Sequence, residues 1–458
     1  MVVCGAWSDG VMQRLAFADA MSHWTASAIP NDQFLVYCFA EPQLSPDAIA
    51  ERLLMQARHV DDLCLAVLDL PGTIDRPYWV PRNPDAGQIR THTEVSTWSE
   101  CLTHIAGLMA DQLVPSVAAW RLHVCGPLTG APRCDGGAVV VVLQIAHALG
   151  DGRRTAQIAR RLFTAPPEPI GALRRDSGVH RGVTCIFASV WGLSRIPLQV
   201  TEMVARGLYA WRLSTRWGPT APGYAPSPLN EQPDAGRALR VLVVDRADLT
   251  GGGVSVTVAA LTAISIALPA YLDDPDRPYG VELTIGTDTE TGARNNFRNT
   301  GVDLHTDVGD LRDRARRIAD GIAAARRAGT DPARRASRQA SAATPPLLTH
   351  WGLRQFDPTR RPTTVTGITV VSSVDRGAAD FAIGDAEDDG KVLFSTGFPA
   401  LSPAQGLTHG VHGLGTAVAL SVTTSPAVMP DVDRYAGLLA DAITDVGAAL
   451  RPGSGSEA

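Results

Sequence analysis

Lysine is almost missing from this chain of 458 residues: Lys391 is the only one, so all but one of the 41 basic residues are arginine. With abundant Ala, Gly and Asp, that bias reads as translation from a GC-rich genome and carries no catalytic meaning. No long basic tract is present and the formal net charge is -6, which argues against a dedicated nucleic-acid binder. No C-x-x-C pair occurs. The seven cysteines, Cys4, Cys38, Cys64, Cys101, Cys125, Cys134 and Cys185, are odd in number and confined to the first 185 residues. A disulfide framework or structural zinc site is therefore not expected, and a reducing cytoplasm is. Residues Met1 to Asp9 lack the basic start and apolar centre of a signal peptide. Absence of G-x-x-x-x-G-K-[ST] and of G-x-S-x-G argues against a P-loop NTPase and an α/β-hydrolase.

Spanning segments are also scarce. Leu249 to Leu272 is charge-free and long enough to cross a bilayer, yet it carries Gly251, Gly252, Gly253, several hydroxyls and Pro269, and has no aromatic or basic flank. It reads as a glycine turn followed by a helix buried in protein. The charge-free stretch from Val392 to Pro430 is broken by Gly and Pro and reads as strands and loops.

What is there is a chain 45% hydrophobic and 19% charged, enough for two cores. Strand-like and helix-like segments alternate in the first half. Ser45-Pro46-Asp47 opens a helix, with serine at the cap and proline at the first helical position. Ala138 to Ala146 (AVVVVLQIA) is a continuous apolar run, as a central strand covered on both faces would be. A second block starts with a strand at Leu239 to Asp245 and includes strands near Val281, Thr366, Val392 and Gly415, with helices from Asp310 and Pro430. Gly329 to Pro346 reads as a flexible polar insertion. The expectation is an α/β chain with mixed sheets in two lobes, 1–178 and 237–450, joined by 179–236 and ending in a disordered tail, 451–458.

Chemistry concentrates at His147-Ala148-Leu149-Gly150-Asp151-Gly152, where the buried strand meets a helix. Ends of central strands are where α/β proteins carry active-site loops. A histidine there can serve as general base near neutral pH. Asp151 can hold the loop through an arginine, and Gly152 permits a tight turn. Arg153, Arg154, Arg160 and Arg161 on the next helix are either a solvated face or a phosphate-binding set. His409 and His412, around Gly410, read as loop histidines rather than metal ligands. Val183 to Trp217 mixes Ile, Leu, Val and Trp with Arg195, Arg206, Arg212 and Arg216, which fits either an interfacial helix or a lobe connector.

The run VVVVLQIAHALGDG resembles the active-site motif of the CoA-dependent acyltransferase superfamily, most closely H-H-x-x-x-D-G of bacterial wax ester synthase/diacylglycerol acyltransferases. The likeness continues in GGGVSVTVAALTAISIALPAYL (251–272), GARNNFRNTGVDLHTDVGDLRDRARRI (292–318), VVSSVDRG (370–377) and PDVDRYAGLLADAI (430–443). The resemblance implies two lobes meeting at a tunnel with His147 as base, Asp151 and Gly152 supporting it, and Asn296, Asn299 and Ser373 along the tunnel. It further implies acyl-CoA as co-substrate, no separate cofactor, and a lipid or alcohol acceptor. The cysteine usage and the 183–217 stretch leave a cytoplasmic protein that is either free or peripheral at the inner membrane face. Four features depart from the family. Ala146 stands for the first histidine, and Phe297-Arg298-Asn299 for the usual F-G-N. Ser373 stands for asparagine, and Thr287-Asp288-Thr289-Glu290 lacks an arginine for which Arg294 is the available substitute. Two other readings stay open: a carrier-protein donor, and a silent relative that binds lipid or a protein partner.

Overall fold

The computed structural model describes residues 12–166, 178–214, 223–251, 253–287, 292–357, 359–386 and 388–451. The amino terminus read for a leader, the acidic part of 287–290 and the tail after 451 lie outside them. The strands in chain order are β1 (Gln13–Arg14), β2 (Gln33–Ala40), β3 (Leu65–Leu68), β4 (Tyr78–Pro81), β5 (Ile89–His92), β6 (Trp120–Leu128), β7 (Ala138–Ile145), β8 (Ala238–Asp245), β9 (Gly280–Gly286), β10 (Phe297–Asp303), β11 (Thr369–Asp375), β12 (Val392–Phe398), β13 (Leu407–Leu414) and β14 (Ala417–Thr424). They form two large mixed sheets, β12-β2-β7-β6-β5 and β10-β9-β11-β13-β14-β8, and a small one, β1-β4-β3.

Every residue of β7 is buried, and its two faces feed different cores. Val139, Val141, Leu143 and Ile145 pack with Ile49, Leu53, Ile158 and Leu162 from the helices Pro46–Ala57 and Gly152–Thr164. Val140 and Val142 pack with Cys101 and Ile105 of helix Trp98–Leu108, in a cluster that also holds Leu239, Ala417 and Ala419 from the second sheet. That shared cluster joins the lobes. The second sheet's other face is covered by helices Val256–Leu272, Leu311–Gly329 and Val432–Leu450.

Helix Val256–Leu272 is the segment that sequence reading took out of the membrane. It is buried in protein, and two of its buried hydroxyls bond to its own carbonyls: Thr262 Oγ1 donates to Val258 O at 2.9 Å and Ser265 Oγ to Thr262 O at 2.6 Å. Among the described residues, no helix is long and apolar enough to cross a membrane.

Strand β12, although it lies among the second block in sequence, pairs antiparallel with β2 in the first sheet. Its Gly397 and Gly410 of β13 are required by close approach. A Cβ on Gly410 would fall 2.6 Å from Gly397 O and 2.5 Å from Ser421 Oγ, and one on Gly397 would fall 3.0 Å from Phe34 O. Glycine here marks a tight strand crossing, so His409 and His412 sit in a fully buried strand and not in a loop. The segment expected to be a flexible insertion is instead a helix, Pro332–Ala343. Asp331 caps it by accepting from Ala333 N at 2.8 Å and Arg334 N at 3.2 Å, while Ala333 and Ala336 supply a buried face.

Helix Gly178–Ser214 runs 37 residues through Pro197. It packs along Pro332–Ala343 and leaves Phe187, Trp191 and Trp211 exposed to 73%, 60% and 67%.

Candidate active site

A cavity of about 780 Å³ lies between the lobes, lined by Gln33 and His147 from the first and by Thr284, Phe297 and Ser373 from the second. Asn299, Asp151 and Gly152 also line it; Asn296 does not.

His147 opens a single 3-10 turn immediately after β7. Its Nδ1 lies 2.9 Å from Asn295 Oδ1. The orientation of that amide is fixed by its other end. Asn295 Nδ2 donates to His147 O at 2.8 Å and to Asp19 Oδ1 at 3.0 Å, both of which only accept. Oδ1 therefore faces the ring, Nδ1 carries the proton, and Nε2 is left as the basic nitrogen. Burial holds the ring's pKa below its ordinary value, against the opposing pull of Asn295, Asp151 and Asp19, so the ring is neutral at neutral pH. Phe297 flanks it, with ring centroids 5.3 Å apart.

Asp19, on helix Phe17–Thr25, is 1% exposed and accepts from three donors in the second lobe: Arg294 N, Asn295 N and Asn295 Nδ2. Burial pushes its carboxyl above the ordinary carboxylate value even against these donors. His147, Asn295 and Asp19 thus form one hydrogen-bonded line across the lobe boundary. Sequence reading missed both supports: it singled out Asn296 and Asn299 from the asparagine-rich segment, and Asp19 carries no local signal.

Among the described residues, no arginine side chain holds Asp151. It caps helix Gly152–Thr164 by accepting from Arg154 N at 3.0 Å, and it accepts from Asn296 N at 2.8 Å. Arg294, the expected substitute partner, pairs with Asp62, which also takes Arg154 at 2.7 Å. Asp151→Ala should therefore cost roughly 0.5–2 kcal/mol in denaturant unfolding, the loss of a helix cap; a loss above about 3 kcal/mol would mean that it compensates a buried charge after all. A Cβ on Gly152 would lie 2.8 Å from Val374 Cγ2, so glycine here lets β11 approach the motif.

Asn296 serves this frame: its backbone binds Asp151, and its Nδ2 donates to Ala293 O at 2.8 Å. It is not a cavity residue as expected. The Asn299 side chain is engaged by Thr284 Oγ1 at 3.1 Å and Glu282 Oε1 at 2.6 Å. Ser373 lies 2.7 Å from Thr257 Oγ1, and both hydroxyls line the cavity. Arg376 and His412 form a second polar corner. Arg376 is 7% exposed, its Nη1 donates to Ser395 Oγ, and its Nε and His412 Nδ1 are buried with no hydrogen-bond partner among the described residues. Burial keeps His412 well below its ordinary pKa, and Arg376 adds to this. Of the four arginines after the motif, Arg160 pairs with Asp380 through both carboxylate oxygens at 2.6 Å, Arg154 and Arg161 lean on Asp62, and Arg153 lines the cavity.

The sequence matches no family profile and no curated protein. Solved structures do match over nearly the whole chain. The wax ester synthase/diacylglycerol acyltransferase from Marinobacter aquaeolei VT8 is 15% identical, with a TM-score of 0.61, covering 96% of this chain and 99% of that one. Trichothecene 15-O-acetyltransferase from Fusarium sporotrichioides is 13% identical, with a TM-score of 0.58 and 97% of each chain covered. A variant of the starter condensation domain of rhizomide synthetase in complex with C8-CoA is 14% identical, with a TM-score of 0.55, covering 96% and 95%. At these identities the likeness is one of fold. This chain has the two-lobed α/β fold of these two acyltransferases and of this condensation domain.

Proposed function

We propose that the protein is an O-acyltransferase moving a long-chain acyl group from acyl-CoA to an alcohol such as a fatty alcohol, diacylglycerol or glycolipid hydroxyl. The observation that carries this reading is the 2.9 Å contact of His147 Nδ1 with Asn295 Oδ1, which leaves Nε2 as the base of a residue lining an inter-lobe cavity. In the reaction, Nε2 takes the hydroxyl proton as the acceptor oxygen bonds to the thioester carbonyl carbon. The resulting oxyanion expels the CoA thiolate by breaking the C–S bond, and the imidazolium returns its proton to sulfur. The thioester is already activated, so neither a covalent enzyme intermediate nor a separate cofactor is needed. Among the hydroxyls lining the cavity, Thr257 and Ser373 share one hydrogen bond, which leaves one proton of the pair to donate to the developing oxyanion.

The lipid side of the proposal rests on helix Gly178–Ser214, whose exposed Phe187, Trp191 and Trp211 sit on the same helix as Arg195, Arg206 and Arg212. That composition suits an interface with anionic headgroups. Thiol release from acyl-CoAs of several lengths, measured against a panel of alcohols and glycolipids, should reveal an acceptor-dependent rate that His147→Ala lowers by about 10²–10⁴. Wild-type protein should sediment with anionic vesicles, less so at 1 M salt or as Trp191→Ser/Trp211→Ser. Thiol release that no acceptor stimulates would sink the transferase reading, and vesicle binding indifferent to both tryptophans would sink the interfacial one.

A further inference from the structure

Three histidines outside the cavity converge on one point beside the edge of the first sheet. His92 ends the edge strand β5, His123 lies in the neighbouring β6, and His104 comes from helix Trp98–Leu108. One ring nitrogen of each lies within 4.8 Å of one from each of the others. The His92 ring centroid is 4.1 Å from that of His104 and 5.3 Å from that of His123. None of the three lines the inter-lobe cavity.

Hydrogen bonds to the outer nitrogens determine what the inner ones present. His92 Nδ1 faces the Glu94 carboxylate at 3.3 Å, an acceptor only, so Nδ1 holds the proton and a neutral ring offers a lone pair at Nε2. His123 Nε2 faces Gln144 Oε1 at 3.3 Å. The orientation of Gln144 is fixed because its Nε2 donates to Asp32 Oδ2 at 2.8 Å and Asp111 O at 2.7 Å. His123 therefore donates from Nε2 and offers its lone pair at Nδ1. These two lone pairs, His92 Nε2 and His123 Nδ1, face each other across 3.1 Å. His104 Nε2 is buried with no hydrogen-bond partner among the described residues. Two opposed lone pairs and an orphaned third nitrogen need a cation.

We propose that His92, His104 and His123 bind a borderline divalent metal ion of the zinc type, tying the edge strand and the helix over it to β6. Imidazole donors suit Zn²⁺, Co²⁺, Ni²⁺ and Cu²⁺ rather than the hard cations, which take oxygen ligands. Zinc–nitrogen bonds of about 2.0–2.1 Å place two ligands near the separation that His92 and His123 already have. Rotation of the rings draws in the third nitrogen. Glu94 and Gln144 hold the two outer nitrogens as donors, the outer-shell arrangement that metal-bound histidines require. Three protein ligands leave a fourth position for water.

The test uses full-length protein without a polyhistidine tag, stripped by chelator and titrated with Co²⁺ followed by visible absorption, then with Zn²⁺ as competitor. One Co²⁺ per chain, displaced by Zn²⁺, and a higher melting temperature with Zn²⁺ are expected. His104→Gln should weaken binding at least tenfold. Glu94→Gln changes only an exposed side chain, so it folds irrespective of the metal, and it should weaken binding about 10-fold or more. His147→Ala should bind as wild type. Wild-type protein that takes up no stoichiometric Co²⁺ would overturn the proposal, meaning that a proton on His92 supplies the charge. Binding unchanged in both Glu94→Gln and folded His104→Gln would overturn it equally, by placing the ion elsewhere.

Discussion

Replacing His147 by alanine should lower kcat/KM for acyl transfer by about 10²–10⁴, the usual contribution of a positioned general base, with little change in melting temperature. The two readouts separate because, among the described residues, the ring's side-chain hydrogen bond is to Asn295, whose amide stays anchored by Asp19 and by the carbonyl of residue 147 itself. The pH profile follows from the direction of the pKa shift. Burial lowers the value for His147, so the basic form persists below pH 6.5, where a free imidazole would begin to charge. The acid limb of kcat/KM should therefore lie below 6.5. A limb at or above that value would mean a different base, or a ring more hydrated than it is here. Stability has the same sign: a histidine buried neutral binds fewer protons than the unfolded chain. Its contribution is complete above the unfolded value and is lost as pH falls. His409 behaves likewise, its pKa pushed by burial down to about 3.

The motif half of the site was legible in the sequence, because a strand of eight residues, seven of them apolar, followed by H-x-x-x-D-G is local information. β7, its terminal turn and the capped helix after it are fixed by side chains close in sequence, and they form as read. What could not be read is whatever depends on a distant partner. Val392 to Phe398 has the composition of a strand, but nothing within it says that it will pair with β2, more than 350 positions away. The glycines that allow this crossing look, in one dimension, like loop residues, which is how His409 and His412 were misplaced. Asp19 lies some 275 positions from the amides it holds, and its neighbours in sequence offer no hint of them. The histidine trio comes from three elements with no ligand-like spacing, whereas C-x-x-C and H-x-x-x-H betray a site because one element supplies two ligands. The same limit explains why Arg294 was offered to Asp151: it is the arginine nearest to the position where the family resemblance expects one, and packing chose Asp62.

That choice carries the largest expected effect on stability. Asp62→Ala should destabilise the protein by about 3–5 kcal/mol, measured by urea or guanidinium unfolding, because it leaves a buried guanidinium without its counter-charge. The side chains of Arg294 and Asp62 are 6% and 5% exposed, and Arg294 packs 5.0 Å from the Trp79 ring centroid, where water cannot replace the carboxylate. Arg154, at 36% exposed, would lose its partner at less cost. Burial alone would raise the Asp62 pKa, but Arg294 and Arg154 more than offset it, so the folded value lies below the ordinary 3.8. A depressed carboxylate stabilises fully above its unfolded value, and that share is lost as pH falls through the lower folded one. The wild type should thus lose this contribution only below about pH 4, and Asp62→Ala should show a flatter acid limb. Activity is linked through the backbone, since residues 294–296 carry the contacts to Asp19, His147 and Asp151. Releasing the Arg294 anchor should therefore lower kcat/KM as well. The discriminating variant is Asp62→Leu/Arg294→Met, which removes both charges and keeps the volume apolar. If a stranded charge is the cause, the double variant recovers most of the lost stability. If it is no more stable than Asp62→Ala alone, the cost lies in packing around the turn Asp61–Cys64, and the ion pair is not what seats the second lobe against the catalytic loop.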